Sequence, residues 1–489
     1  VTAPLAGLMP GPVNTSPRGK TVVIIGGGLA GLAAAVRLGK LGYSPVVLEK
    51  RPFAGGRAFS FTDPETGAEV DNGQHVFVGA CTAYRQFLKD IGAWDNVRLP
   101  KRIDAPVLCE GVLARLRGAE SLSGPFANLP AILGYTHLSM SGRARVLYGL
   151  ARIKLTKRLP GGPLERETFH SWLRRHGQNG HTIERFWELI TLPALNDSVS
   201  AVSADAGLML FQTALLRDPS WAAIGCPSVG LSSLASAPAT ATIERAGGQL
   251  RCGLEAQALD FSGGRITGVR ASGGETIKGE AYVSAVPPSA LLALLPAGLA
   301  ADSFFAACKG VETSPIVNVH IWYGRQVVSE PFIAVLNSPV QWVFNVTALH
   351  SEEGMPDEAQ TPVVPRLNGA GPSQHIAISL SGAWRWRDMS KTELRETFVT
   401  EMERLFPAAR GAAVLRFLVV KMLDATFRVA PGPAAFRLPQ KTPIPGMFLA
   451  GDWTATGWPS TMESAVRSGN LAADAAAAYL SSRAAALGA

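Results

Sequence analysis

The sequence has little of what a disulfide scaffold, a metal centre or a membrane-spanning bundle requires. Its 489 residues hold five cysteines (Cys81, Cys109, Cys226, Cys252 and Cys308), odd in number, scattered and without a C-x-x-C. That usage argues against a disulfide framework and against zinc, and it fits a reducing compartment. The eight histidines have no metal-ligand spacing, so no metal is expected. No apolar run approaches ~20 residues, so no helix is expected to cross a bilayer. There is no internal repeat, no nucleic-acid motif and no long basic run, which removes nucleic acid from the expected partners. Residues 1–20 are rich in Pro, Gly and small side chains, lack the order of a secretory signal, and read as a loose tail.

What is present is a globular composition, 47% hydrophobic and 17% charged, on a chain long enough for two or three domains. The net charge of +8 is compatible with attraction to an anionic membrane and equally with an ordinary basic surface. The informative stretch runs from Val22 to Arg57. Val22–Ile25 is a short β-branched run that suits a buried parallel strand. Gly26, Gly28 and Gly31 then form G-x-G-x-x-G, followed at helical spacing by Leu32, Ala35, Val36, Leu38 and Leu41. Gly42 ends that helix, and Pro45–Glu49 reads as a second strand. The first glycine permits the tight turn, the second admits a pyrophosphate at the helix N-terminus beside Leu29 and Ala30, and the third lets helix and strand approach. Glu49, with Lys50 after it, ends the second strand, where a carboxylate accepts from ribose hydroxyls and repels a 2′-phosphate.

Gly55-Gly56-Arg57 and the late Phe448-Leu449-Ala450-Gly451-Asp452 follow. This pairing resembles the flavin-containing amine oxidase and phytoene desaturase superfamily. The resemblance implies FAD as cofactor, with Gly55, Gly56 and Arg57 against it and Gly451 and Asp452 at its ribityl and pyrophosphate region. Asp71-Asn72-Gly73-Gln74-His75 and the closing GDWTATGWPSTMESAVRSG are narrower, and resemble the hydroxysqualene dehydroxylases, the squalene-associated FAD-dependent desaturases. The implied fold is α/β, a Rossmann-like FAD-binding domain (parallel sheet plus β-meander) with a mixed α+β substrate domain. Gly73, Gln74 and His75 return to the flavin in this family. Ala256 stands where the family's backbone meets adenine, usually with Val, and Ala285 opens the turn that closes over the cofactor. Trp458, Pro459, Thr461 and Met462 lead into a helix whose first turn, holding Pro459, points N–H groups at the flavin pyrimidine.

The expected domain map is 21–105, 226–310 and 421–489 for FAD, and 106–225 with 311–420 for substrate. Strands 265–270, 275–278 and 282–285 are expected to make the meander. Further strands are expected at 317–322, 342–345 and 375–380, a long polar insertion at 350–373, and a capping box at Ser390–Glu393 opening a helix with Leu394, Phe398, Met402 and Leu405 inward. Residues 143–158 read as a basic amphipathic helix, either resting on anionic lipid or simply solvated. Trp172, Phe186, Trp187, Leu189 and Ile190 either line a greasy cavity or pack as core. Asn196-Asp197 either reaches substrate or caps a turn, and Lys421 is either a flavin neighbour or a surface lysine.

The resemblance implies reductive dehydroxylation of hydroxysqualene to squalene, with hydride from reduced flavin N5 to an allylic cation and an unknown external reductant. His75 is the candidate acid, against the simpler reading of a histidine satisfied in a turn. The alternatives are a carotenoid or terpenoid desaturase or isomerase and, in another class, a non-catalytic prenyl-protein escort. A hydrophobic isoprenoid substrate and a cytoplasmic protein, either free or peripheral on the inner face of the plasma membrane, complete the expectation.

Overall fold

The computed structural model describes residues 19–488 except 66, 120–126, 352–373 and 433–435, so the expected tail up to residue 18 and most of the 350–373 insertion lie outside the described residues. One sheet is five-stranded and wholly parallel, in the order Gln249–Cys252, Ser44–Glu49, Thr21–Ile25, Ala281–Ser284, Met447–Leu449. Its alternation is buried on both sides. Val22, Ile24, Val47 and Val283 face the helices Leu29–Lys40 and Met462–Gly488, whereas Val23, Ile25, Val46 and Leu48 face the meander. The two helices meet through small residues, Ala30, Ala33 and Ala34 on one and Ala472, Ala473 and Ala476 on the other. This lets the last helix aim its N-terminus at the same sheet edge as the first.

The meander is Ala256–Ser262, Arg265–Ala271 and Thr276–Ile277. The expected third meander strand at 282–285 is instead the fourth strand of the parallel sheet, and the meander begins one strand earlier. All four residues of Ala281–Ser284 are buried, which an edge strand of a meander would not need.

The second sheet has seven strands, ordered Val414–Phe427, Thr313–Tyr323, Gln374–Leu380, Trp342–Asn345, Phe332–Leu336, Asp104–Cys109, Val112–Arg117. A boundary at 105/106 or 420/421 would cut one of its strands. Val317, Val319 and Ile321 pack against Leu394, Phe398 and Met402 of the helix Lys391–Leu405, which opens on the Ser390–Glu393 capping box. The intervening residues Asn318, His320 and Trp322 therefore face the other way, toward the parallel sheet's crevice. A helical layer adds a core of Phe169, Trp172, Phe186, Trp187 and Phe211. Trp172, Phe186 and Trp187 are packed there as core, as is Leu189, while Ile190 packs half-buried against them.

Candidate functional site at the carboxyl ends of the parallel strands

Gly31 packs so tightly that a Cβ there would stand 1.9 Å from the Gly26 carbonyl oxygen. That contact sets the turn, and the helix from Leu29 and Ala30 starts at Gly28 with no side chain capping its first N–H groups. Glu49 ends its strand buried, its carboxylate accepting from the Gly27 N–H (2.8 Å) and the Arg51 N–H (2.9 Å). Lys50 beside it is exposed. The Gly55 N–H donates to the Gly27 carbonyl at 2.8 Å. Gly56, at φ +62°, lies against Gly28, with space for no Cβ: one would stand 2.9 Å from the Gly28 α-carbon. Ala285 closes the same turn, its N–H donating to the Ile25 carbonyl at 2.8 Å. Ala256 starts the meander directly after the short connection Gly253–Glu255 that follows the strand ending at Cys252.

The two distant ends of the chain meet here. Arg57 pairs with the buried Asp452 carboxylate, whose other oxygen accepts from Ser460 Oγ. The Gly451 N–H donates to Ser468 Oγ at 2.8 Å. Trp458 is half-buried with the Arg467 guanidinium 5.0 Å from its ring centre. The final helix begins at Met462, not at Pro459. Thr461 caps it, its Oγ1 accepting from the Ser464 N–H at 3.2 Å, so Pro459 lies in the approach loop. A Thr can accept that bond and a Pro cannot.

The turn Asp71–His75 joins this crevice to the second sheet. Asn72 Nδ2 donates to the Arg57 carbonyl (2.8 Å), while Asn318 Nδ2 donates to the Asn72 carbonyl (3.1 Å). Gly73 lies against the Asn318 side chain, and Gln74 Nε2 is buried without a partner among the described residues. His75 Nδ1 is 2.7 Å from the Gly73 carbonyl, which fixes the proton on Nδ1 and leaves Nε2 an acceptor. Burial lowers the His75 pKa, so the neutral ring is the resting form. Asp71 accepts from the Leu231 N–H (2.9 Å) and Ser60 Oγ (2.7 Å), yet burial lifts its pKa to about 6.

Several members of this region carry little signal in the sequence. His320 Nδ1 and His375 Nε2 are 3.0 Å apart, and His375 stacks on Trp322 at 4.0 Å. Burial pulls His320 down to about 4 and His375 well below its ordinary value, and His320 Nε2 is buried without a partner among the described residues. The alternate polar residues of Asn318-Val-His320-Ile-Trp322 were the available signal. Arg437, which donates to the Asp452 (3.1 Å) and Thr454 (2.6 Å) carbonyls, sits in a loop with no such signal. Asn196 and Asp197 lie elsewhere. Asn196 is left-handed (φ 54°) and ties its helix end to Gly382 and Thr426, while Asp197 pairs with Arg428. Lys421 Nζ donates to the Arg387 carbonyl at 2.9 Å on an exposed strand position.

Residues 29–477 match the flavin containing amine oxidoreductase family, and the chain belongs to it. It is 28% identical over 460 residues to the hydroxysqualene dehydroxylase of Rhodopseudomonas palustris, covering 93% of this chain and 98% of that protein. It is 25% identical over 474 residues to the 15-cis-phytoene desaturase of Synechococcus elongatus, covering 93% and 95%. Among solved structures, an oxidoreductase from Methanosarcina mazei aligns with a TM-score of 0.69 at 17% identity, over 92% of this chain and 98% of that one. Putrescine oxidase aligns at 0.66 and 17%, over 94% and 99%. The chain is thus a flavin-dependent oxidoreductase of this fold, and its cofactor is FAD. The residues fit that cofactor. The helix start at Gly28 is uncapped, Gly56 leaves the backbone bare beside it, and the buried Gln74 Nε2, Ser236 Oγ and Ser284 Oγ have no partner among the described residues. Gly28 with Leu29 and Ala30 would hold the pyrophosphate, Glu49 the adenosine ribose, and Arg57 with Asp452 the far side.

Proposed function

We propose that this flavoprotein reductively removes the hydroxyl of hydroxysqualene to give squalene. The observation that carries the reading is an apolar cluster that begins with Val76, the residue after His75. Val76, Ile224, Phe332 and Trp342, all half-buried, pack on a core of Cys226, Phe344 and Ala377 directly after the Asp71–His75 turn. A long isoprenoid needs such a lining, and one polar end for its hydroxyl. The likeness to the Rhodopseudomonas palustris protein, nearly end to end, supports it, and the likeness to the Synechococcus elongatus desaturase, over as much of the chain, supports the second reading below.

When bound, reduced FAD supplies the two electrons of the reduction. The protein's own task is to orient the allylic carbon, keep water from the cation left when hydroxyl departs, and give that hydroxyl a proton. Phe332, Trp342 and Ile224 exclude the water. The proton would come from His75 Nε2, which must first be charged. Its neutral resting state therefore sets an activity that falls as pH rises.

The same neutral Nε2 favours a second reading. An acceptor nitrogen suits removal of a proton, which a carotenoid desaturase requires and a dehydroxylase does not. Product analysis separates them. Purified holoenzyme is given hydroxysqualene with a reductant, or phytoene with an electron acceptor. Squalene from the first supports dehydroxylation, a more unsaturated polyene from the second supports desaturation, and neither product from a reducible flavoprotein overturns both. In either case His75→Ala is expected to slow turnover ~10²-fold with FAD retained.

A further inference from the structure

We infer that the helix Met140–Leu155 and the turn after it dock on an anionic lipid surface. The helix is anchored from below. Val146, Leu150 and Ile153 are buried, and Gly149 lies so close to Trp187 that a Cβ would stand 2.7 Å from its ring. Its core-facing side is thus already occupied, and what projects from the other side is not spare core. Met140 (74% exposed), Tyr148 (53%), Leu155 (77%) and Leu159 (62%) stand in solvent, with Leu133 at one end. Five of the twelve exposed large apolar side chains among the described residues fall in these 27 residues, 133 to 159.

Their geometry makes one stripe. At 100° per residue, Met140, Tyr148 and Leu155 fall within about 80° of one another, with Ala144 and Ala151 between them. The stripe is about 22 Å long at 1.5 Å per residue. Leu133 is held beside its start, since Arg143 Nη1 donates to the Leu133 carbonyl at 2.5 Å.

Cations border the stripe. Arg145 and Arg152 flank it on one side and Lys154 on the other, with Lys157 following the helix. No acidic residue occurs between Glu120 and Glu165. Arg158 is neutralised by Asp205 (2.8 Å), but Arg152, Lys154 and Lys157 have no carboxylate partner among the described residues. Exposed apolar side chains rimmed by unpaired cations match an anionic bilayer: the former enter the acyl boundary and the latter meet the phosphates. A protein partner of opposite charge would need acidic groups around an apolar groove, and a second copy would bring like charges together. Among the described residues no helix is long and apolar enough to cross a membrane, so this is contact from one side. That the lipid delivers the substrate rests on the proposed function; the docking itself does not.

The test uses purified holoenzyme and flotation with vesicles of phosphatidylcholine alone or mixed with phosphatidylglycerol. Binding to the anionic vesicles only is expected. Met140→Glu with Leu155→Glu should abolish it, and Arg152→Glu with Lys154→Glu should weaken it at least tenfold. Leu471→Glu, at an exposed apolar position on the final helix Met462–Gly488, should bind as the native protein does. The flavin spectrum of each variant shows that it is folded. Equal binding to neutral vesicles, or flotation unchanged by the Met140/Leu155 variant, overturns the proposal. So does an oligomer that the same variant dissociates while native protein ignores lipid. None of these readouts depends on which isoprenoid is turned over.

Discussion

The two sheets of this molecule use their residues in opposite ways. In the parallel sheet the ligand edge is mostly backbone: Gly26, Gly28, Gly31, Gly55 and Gly56 shape it, and few side chains reach in. In the seven-stranded sheet the face toward the crevice is all side chain: Asn318, His320, Trp322 and His375 on one part, Phe332, Trp342 and Phe344 on another. A backbone-built site demands particular residue types at fixed spacing, because only glycine tolerates the approach. A side-chain-built wall demands only alternation, and many residues satisfy it.

The sharpest way to break that contrast is Gly31→Ala. The added carbon would overlap the Gly26 carbonyl oxygen, and overpacking against backbone that cannot swing aside costs about 3 kcal/mol. Loss of FAD from the purified protein is expected, read as absent flavin absorbance; His320→Phe, across the crevice, should keep its flavin. A variant at Gly31 that retains FAD would show that backbone spacing does not govern this edge.

Next in size is the pH response of the joining turn. The Asp71 carboxyl holds its proton more tightly folded (about 6) than unfolded (3.8), a difference of about 3 kcal/mol at ~1.4 kcal/mol per unit. The folded state therefore binds the extra proton, and this residue's contribution falls as pH rises from about 4 to about 6. His320 and His375, depressed by burial, act with the opposite sign, since the unfolded chain binds their protons first and stability rises across the same window. Asp71→Asn removes only the falling part. Thermal midpoints measured across that window should then climb more steeply with pH than in the native protein. Arg57→Ala comes third. The Arg57 side chain is 40% exposed, so solvent screening discounts the pair, and about tenfold weaker FAD binding is expected by titration of the apoprotein.

This contrast also explains what the sequence disclosed. Val22–Ile25, the three glycines and Glu49 were legible because each element constrains the next within thirty residues of chain. The meeting of Arg57 with Asp452 was readable only through likeness to a family, since no local physics links residues so far apart in the chain. The meander was misassigned because Ala281–Ser284 is too short for its periodicity to distinguish a parallel from an antiparallel neighbour. His320 and His375 escaped because they lie on two strands, and their pairing depends on the register Trp322 to His375. Pro459 misled because a proline before a helix marks its neighbourhood without fixing its first residue.

The smallest effect belongs to the second sheet's outer side. Ser390 Oγ accepts from the Glu393 N–H at 3.2 Å, and Glu393 Oε2 accepts in return from the Ser390 N–H at 2.7 Å. Removing the hydroxyl in Ser390→Ala leaves one N–H of the helix Lys391–Leu405 to water and should cost about 1 kcal/mol. That helix covers Val317, Val319 and Ile321, the opposite face of the strand that carries Asn318 and His320. If the seven-stranded sheet is a rigid wall, chemical denaturation shifts by that amount while FAD affinity and KM stay as they were. A KM that rises in step with the lost stability would mean that the side-chain wall is held in register by its cover, so that the two faces of one strand cannot be varied apart.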